Sequence, residues 1–186
     1  MKRVFDFLLT LFLICLLSFP ILIVALMIKL SSRGSILYWS DRIGINNDIF
    51  KMPKFRTMKV NTPAVATHLL QNPNSYLTPI GSFLRKFSID ELPQLWSVLK
   101  GDMSFVGPRP ALFNQDDLIK LRTDRGIHIL APGITGWAQV NGRDELPIPV
   151  KVEYDEYYLK HKSFLLDMKI LWMTVFKVFV QEGVKH

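Results

Sequence analysis

The chain has 186 residues, 49% of them hydrophobic, and a formal net charge of +7; that length supports one domain with a real core, and the charge points to anionic partners such as nucleic acid, phosphorylated small molecules or an acidic membrane surface. The single cysteine, Cys15, excludes an internal disulfide framework, and the four scattered histidines lack the spacing of a zinc site.

The first predicted element is apolar. Phe7 to Ile28 carries no charged residue and is long enough for a helix to cross a bilayer core. Its length, and the absence of a small-residue cleavage motif after it, argue against a removed signal peptide. Ser18 and Pro20 fall at its centre. Proline there removes a backbone hydrogen bond and bends the helix, and a serine hydroxyl can satisfy a carbonyl so freed. Lys2 and Arg3 flank one end and Lys29 and Arg33 the other, so the positive-inside rule assigns no direction. That symmetry suits a re-entrant helix with both ends on one face; on these residues alone a plain single-span anchor stays open.

Ser35 to Trp39 reads as a short strand, Asp41 to Asp48 as a polar turn, and Ile49 to Val60 as a basic extended segment with interleaved apolar residues. Asn61 to Leu77 reads as a loop or weakly held helix. Thr78-Pro79 has the form of a helix start, with the helix running to about Phe87. A second helix follows. Ser88-x-x-Glu91 fits a capping box, but that start puts Pro93 in the helix body. Asp90 as N-cap keeps Pro93 in the first turn and is preferred. Leu92, Leu95, Trp96 and Leu99 then form one apolar stripe, with Lys100 and Gly101 closing the helix. Ala131 to Pro147 is rich in turns, Tyr154 to Lys160 is helical, and Phe164 to Val180 is strongly apolar. Asp167, Thr174, Lys177 and Gln181 fall on one narrow face of that last helix, which suits either a buried or an interfacial position.

The residues that carry chemistry cluster around Asp90 and Glu91. A carboxylate at a helix start feels the positive end of the macrodipole and stays ionised, so Asp90 has the character of a nucleophile that needs no base. Nucleophilic carboxylates act on phosphorus and on anomeric carbon. Glu91 adds repulsion that a cation relieves, and Mg²⁺ commonly binds one or two carboxylates together with substrate phosphate. Arg85 lies just before the pair, and Arg109 is fixed between two prolines, which limits the entropy it loses on ordering against a ligand. Lys54, Arg56, Arg42 and Arg143 are further candidate phosphate contacts. Taken singly, the acid pair also suits a helix cap and the arginines a lipid-headgroup patch. A lipid-binding adaptor and a phosphatase therefore remain open on these features.

The segments "KRVFDF", "DRIG", "FKMPKFRTM", "IGSFLRKFSIDELPQLWSVLKGDMSFVGPRP", "PGITGWAQVNGR" and "YDEYYLKHKSFLLDMKIL" together resemble the small monotopic phosphoglycosyl transferases. These form the bacterial sugar transferase family that starts glycan assembly on polyprenol phosphate. The resemblance runs from near the first residue to near the last. It implies transfer of a sugar 1-phosphate from a UDP-sugar to undecaprenyl phosphate, with UMP leaving and no nucleic acid partner. It implies a ping-pong mechanism in which Asp90 becomes a phosphosugar–aspartyl intermediate and Glu91, with Asp90 beside it, holds Mg²⁺. Arg85 and Arg109 match basic positions near the phosphates; Lys54, Arg56, Arg42 and Arg143 match motif positions. The fold expected is α+β and mainly helical: a re-entrant membrane helix over 1–30 and, over 31–186, a cytoplasmic catalytic domain with interfacial amphipathic helices, at the bacterial inner membrane. The oligomeric state is left open. The chain has Ser18-Phe19-Pro20 where the family commonly has Ser-Pro, and Asp144 where many members have asparagine. It lacks the extra N-terminal spans of the larger members, so a minimal catalytic unit is expected.

Overall fold

The computed structural model describes residues 1–62, 72–142 and 146–180. It is mainly helical, with two small two-stranded sheets. Helix α1, Lys2–Ser31, runs unbroken through Pro20. It is the one helix among the described residues that is long and apolar enough to cross a membrane by length and composition. Ser18 Oγ donates to the Cys15 carbonyl at 2.9 Å, one residue before the Leu16 carbonyl that the proline leaves without its usual donor.

α1 has two unlike apolar faces. Leu9, Leu13 and Leu17, then Ile21, Val24 and Ile28, recur at intervals of three or four and pack against the rest of the chain. Leu8, Phe12, Phe19, Leu22, Leu26 and Leu30 are exposed. At the N-terminal end the buried Asp6 carboxylate accepts Ser104 Oγ at 2.8 Å. At the other end Ile28 joins Phe55 and Leu84 in a second apolar cluster.

Strands β1, Leu37–Ile43, and β2, Ile49–Phe55, form an antiparallel hairpin in which Leu37 faces Phe55 and Ile43 faces Ile49. The predicted strand ends too early and the predicted turn starts too early. Asp41 and Arg42 belong to β1, because a ribbon with one solvated face accepts polar residues that read as a turn. The connection holds Asn46 and Asn47 at positive φ, which asparagine tolerates better than most residues. β2 packs against a 3-10 turn over Ile89–Gln94.

Helix α2 spans Gly81–Lys86, starting later than the Thr78-Pro79 signal; Thr78 Oγ1 lies on the Thr57 carbonyl at 3.3 Å instead of capping the helix. The helix start expected at Asp90 also differs. The N-cap position is Ser88, in the left-handed region at φ 54° and without a side-chain cap. Ile89–Gln94 is wound as 3-10, and only Leu95–Lys100, α3, is α-helical. Pro93 lacks the N–H that an α turn would use there. The tighter winding rotates the buried face, so Leu95 and Val98 are inside while Trp96 is 53% exposed. Gly101, at φ 103°, ends α3 as predicted.

Strands β3, Ser104–Val106, and β4, Gly133–Thr135, pair in parallel. The turn-rich reading of 131–147 missed β4 and helix α5, Trp137–Gly142, each too short for a periodic signal. Helix α4 spans Asp116–Asp124 and α6 spans Ile148–His161. Helix α7, Phe164–Val180, coincides with the predicted apolar segment. Its inward face carries Asp167 and Ile170, both buried, and Thr174, whose hydroxyl meets that of Thr135 at 2.7 Å. Gln181 of the predicted face lies outside the described residues. Leu165, Trp172 and Phe176 are exposed on the opposite side.

Candidate active site

Asp90 and Glu91 are the second and third residues of the 3-10 turn, held by the left-handed Ser88 on one side and α3 on the other. β2 supplies Lys54, α2 supplies Arg85, and the Pro108-Arg109-Pro110 stretch after β3 supplies Arg109. Lys54 Nζ donates to Glu91 Oε1 at 2.7 Å, and Arg109 Nη2 donates to the same oxygen at 3.2 Å. Arg85 Nε donates to Thr57 Oγ1 at 3.0 Å, which anchors its guanidinium within electrostatic reach of Asp90.

The two carboxylates titrate differently. Asp90 is only 8% exposed, and burial pushes its carboxyl above the usual range. Lys54, Arg85 and Arg109 pull it down, and the neighbouring Glu91 pushes it up. These side-chain cations favour the charged form. Burial also acts to raise Glu91, but Lys54 and Arg109 outweigh it and hold that carboxyl far below the usual range. Three cations face the two acids here, a positive balance that suits an anionic substrate such as a diphosphate.

The sequence reading named eight residues for this site. Asp90, Glu91, Lys54, Arg85 and Arg109 come together. Arg42 stands behind them: its Nε lies on Ser40 Oγ at 3.0 Å and its Nη1 donates to the Pro110 carbonyl at 3.1 Å, which braces the backbone next to Arg109. Arg56 is buried and donates through Nη2 to the Ser32 hydroxyl and carbonyl at the end of α1. Arg143 lies outside the described residues.

Three supporting groups escaped the sequence reading. Thr57 orients Arg85. Arg122 donates through Nη1 to the Arg109 carbonyl at 2.8 Å while its other nitrogens grip Asp155 at 2.6 and 3.0 Å. No local pattern marks a threonine acceptor or a partner 33 positions away. Asp6 ties α1 to β3, and its one visible sign was a lone acid at the edge of an uncharged run.

Glu91 and the adjoining Asp90 are the carboxylates of this site that could hold a divalent cation. Both hydrogen bonds to Glu91 reach the same oxygen, Oε1, and Asp90 adjoins it. Among the described residues no group of three or more His, Cys, Asp or Glu side chains gathers into a pre-built cage. An ion bound here would complete its shell with phosphate oxygens and water, as Mg²⁺ commonly does.

The profile of the bacterial sugar transferase family matches residues 1–181. The uncharacterized sugar transferase EpsL of Bacillus subtilis (strain 168) is 42% identical over 188 residues, which cover 100% of this chain and 91% of that protein. The UDP-glucose:undecaprenyl-phosphate glucose-1-phosphate transferase of Escherichia coli (strain K12) is 39% identical over 191 residues, 98% of this chain and 41% of that protein. The UDP-N-acetylgalactosamine-undecaprenyl-phosphate N-acetylgalactosaminephosphotransferase of Aeromonas hydrophila is 37% identical, over 99% of this chain and 45% of that protein. The chain thus spans less than half the length of these two relatives, whose names state a reaction.

Proposed function

The chain belongs to the bacterial sugar transferase family, and we propose that it moves a sugar 1-phosphate from a UDP-sugar to undecaprenyl phosphate, releasing UMP. The names of the Escherichia coli and Aeromonas relatives support that donor and acceptor. The observation that carries the chemistry is Asp90: a buried carboxylate among Lys54, Arg85 and Arg109, beside Glu91.

In the first half-reaction an Asp90 carboxylate oxygen bonds to the phosphorus that bears the sugar. The bond from that phosphorus to the bridging oxygen breaks, and UMP leaves with the bridging oxygen and its electron pair. In the second, an oxygen of the lipid phosphate attacks the same phosphorus. The bond to Asp90 breaks and the carboxylate is restored, so the cycle is ping-pong. Arg85 and Arg109 stabilise the charge on the phosphate oxygens, and Lys54 holds Glu91 in place. Glu91, with Asp90 beside it, would hold Mg²⁺, which when bound supplies neutralisation of phosphate charge.

We further place the catalytic domain at the cytoplasmic face of the bacterial inner membrane, with α1 re-entrant. Attachment of both ends of α1 to the same domain supports this reading.

The test is an assay of the full chain with UDP-sugars, Mg²⁺ and undecaprenyl phosphate, following UMP and lipid product. Asp90→Asn is expected to abolish lipid-dependent UMP release, and wild type mixed with donor alone to gain the mass of a sugar phosphate. Undiminished release by Asp90→Asn would remove the nucleophile assignment. UMP release with no lipid product would indicate hydrolysis.

A further inference from the structure

Arg56 is a buried cation whose hydrogen bonds are incomplete. It is 6% exposed, yet among the described residues its Nε and Nη1 have no acceptor. Nη2 is engaged by the carbonyl and hydroxyl of Ser32 at 3.2 and 2.8 Å. A buried donor without a partner costs about 1–3 kcal/mol, and more for a charged group, so its persistence calls for a ligand or a function. Ser32 belongs to the chain that leaves α1. Residues Lys29 through Gly34 line an open cleft there, with Lys29 and Arg33 exposed. Gly34, which lines the cleft, lies against Nη1: at φ +116°, a side-chain carbon on it would fall 1.9 Å from that nitrogen.

The setting narrows the ligand. Lys29 and Arg33 follow directly on the apolar run of α1, whose exposed face ends at Leu30, the position at which basic residues commonly flank a membrane-embedded segment. The site is also linked to the acid pair through the chain. Arg56 adjoins Thr57, which holds Arg85, which faces Asp90. We propose that Lys29, Arg33 and Arg56 form a phosphate site at the end of the membrane helix, which receives the phosphate monoester head of a membrane-resident lipid on its way to Asp90. This rests on the transferase reading above and adds the acceptor's entry point to it. The unpartnered Nε and Nη1 of Arg56, with the exposed charges of Lys29 and Arg33, answer a dianionic head better than the single charge of a phosphodiester lipid.

The full chain in phosphatidylcholine nanodiscs is the material for the test. Native mass spectrometry would measure retention of undecaprenyl phosphate, of phosphatidylglycerol and of inorganic phosphate, and turnover would give separate KM values for donor and acceptor. Wild type is expected to retain undecaprenyl phosphate in preference to the other two. The surface double variant Lys29→Gln/Arg33→Gln is expected to lose retention about tenfold and to raise the acceptor KM about tenfold relative to the donor KM, the scale of one charge-assisted contact. Arg56→Lys, which keeps the charge but not the guanidinium donors, should act in the same direction; the double variant decides the matter if Arg56→Lys fails to fold. Unchanged retention and acceptor KM in the folded double variant would overturn the site. Equal retention of phosphatidylglycerol would reduce it to a general anionic anchor, and equal retention of inorganic phosphate would remove the lipid assignment. A wild type that turns over no UDP-sugar defeats the transferase reading instead, while the retention measurement still decides this site.

Discussion

Asp90 and Glu91 adjoin along the chain and titrate in opposite directions. Burial, the largest influence on Asp90, raises it, and Lys54 is the strongest opposing charge. If ionised Asp90 is the nucleophile, the acid limb of kcat/KM for the donor should lie above the ordinary aspartate value of about 3.9. Lys54→Met removes the main lowering influence and should move that limb to higher pH. Glu91→Gln removes a repulsion and should move it to lower pH, whatever it does to the plateau. Limbs that move together, or not at all, would mean that another group titrates. Glu91 also bears on stability. Its folded-state value is depressed, so its stabilising contribution is complete above the unfolded value of about 4.3 and is lost as pH falls below it. Acid unfolding followed by circular dichroism should therefore be less steep below about pH 4 in Glu91→Gln than in wild type.

Between elements, α4 and α6 are joined by Arg122 and Asp155, the latter 1% exposed. Because Arg122 also holds the Arg109 carbonyl, this pair connects packing to the site. Asp155→Asn leaves a guanidinium poorly matched in a buried position and is expected to cost about 3 kcal/mol in denaturant unfolding. Arg122→Met/Asp155→Leu should recover much of that stability, as apolar replacement of a buried pair often does. It should not recover donor kcat/KM, because the Arg109 backbone has lost its brace. Full recovery of both would reduce the pair to packing alone. The sequence made some of this architecture legible and hid the rest for physical reasons. α7 was readable because 17 apolar-rich residues run on without a breaker. The acid pair, Lys54, Arg85 and Arg109 were readable because charge chemistry and the motif spacing agree. The outward position of Trp96 was not, since Ile89–Gln94 is wound as 3-10 around Pro93. Arg42 carries the same charge as its neighbours, and only its tertiary contact to the Pro110 carbonyl separates a backbone brace from a phosphate ligand.

For the molecule as a whole, the decisive feature is how α1 is held. At its N-terminal end Lys2 pairs with Asp167 at 2.6 Å, Arg3 donates to the Val98 and Leu99 carbonyls, and Asp6 is buried against β3. At its other end Ile28 packs with Phe55 and Leu84, and Ser32 binds Arg56. A helix that crossed the bilayer would put its two ends on opposite sides of a hydrocarbon core about 30 Å thick, and the polar domain attached to both would have to pass through that core. One of these two attachments would then break, leaving Asp6 or Arg56 without its partners in lipid or in an emptied core. A helix lying with its exposed face of Leu8, Phe12, Phe19, Leu22, Leu26 and Leu30 in one leaflet keeps both attachments. The two arrangements differ in where the ends emerge. In a Cys15→Ser background, cysteines placed one at a time at Val4 and Ser35, both exposed, report on the two ends. With a membrane-impermeant maleimide, both positions should label in inside-out vesicles and neither in right-side-out vesicles. Labelling of the two from opposite sides would establish a span and withdraw the re-entrant assignment. It would also mean that one of the two polar attachments of α1 is absent in the membrane.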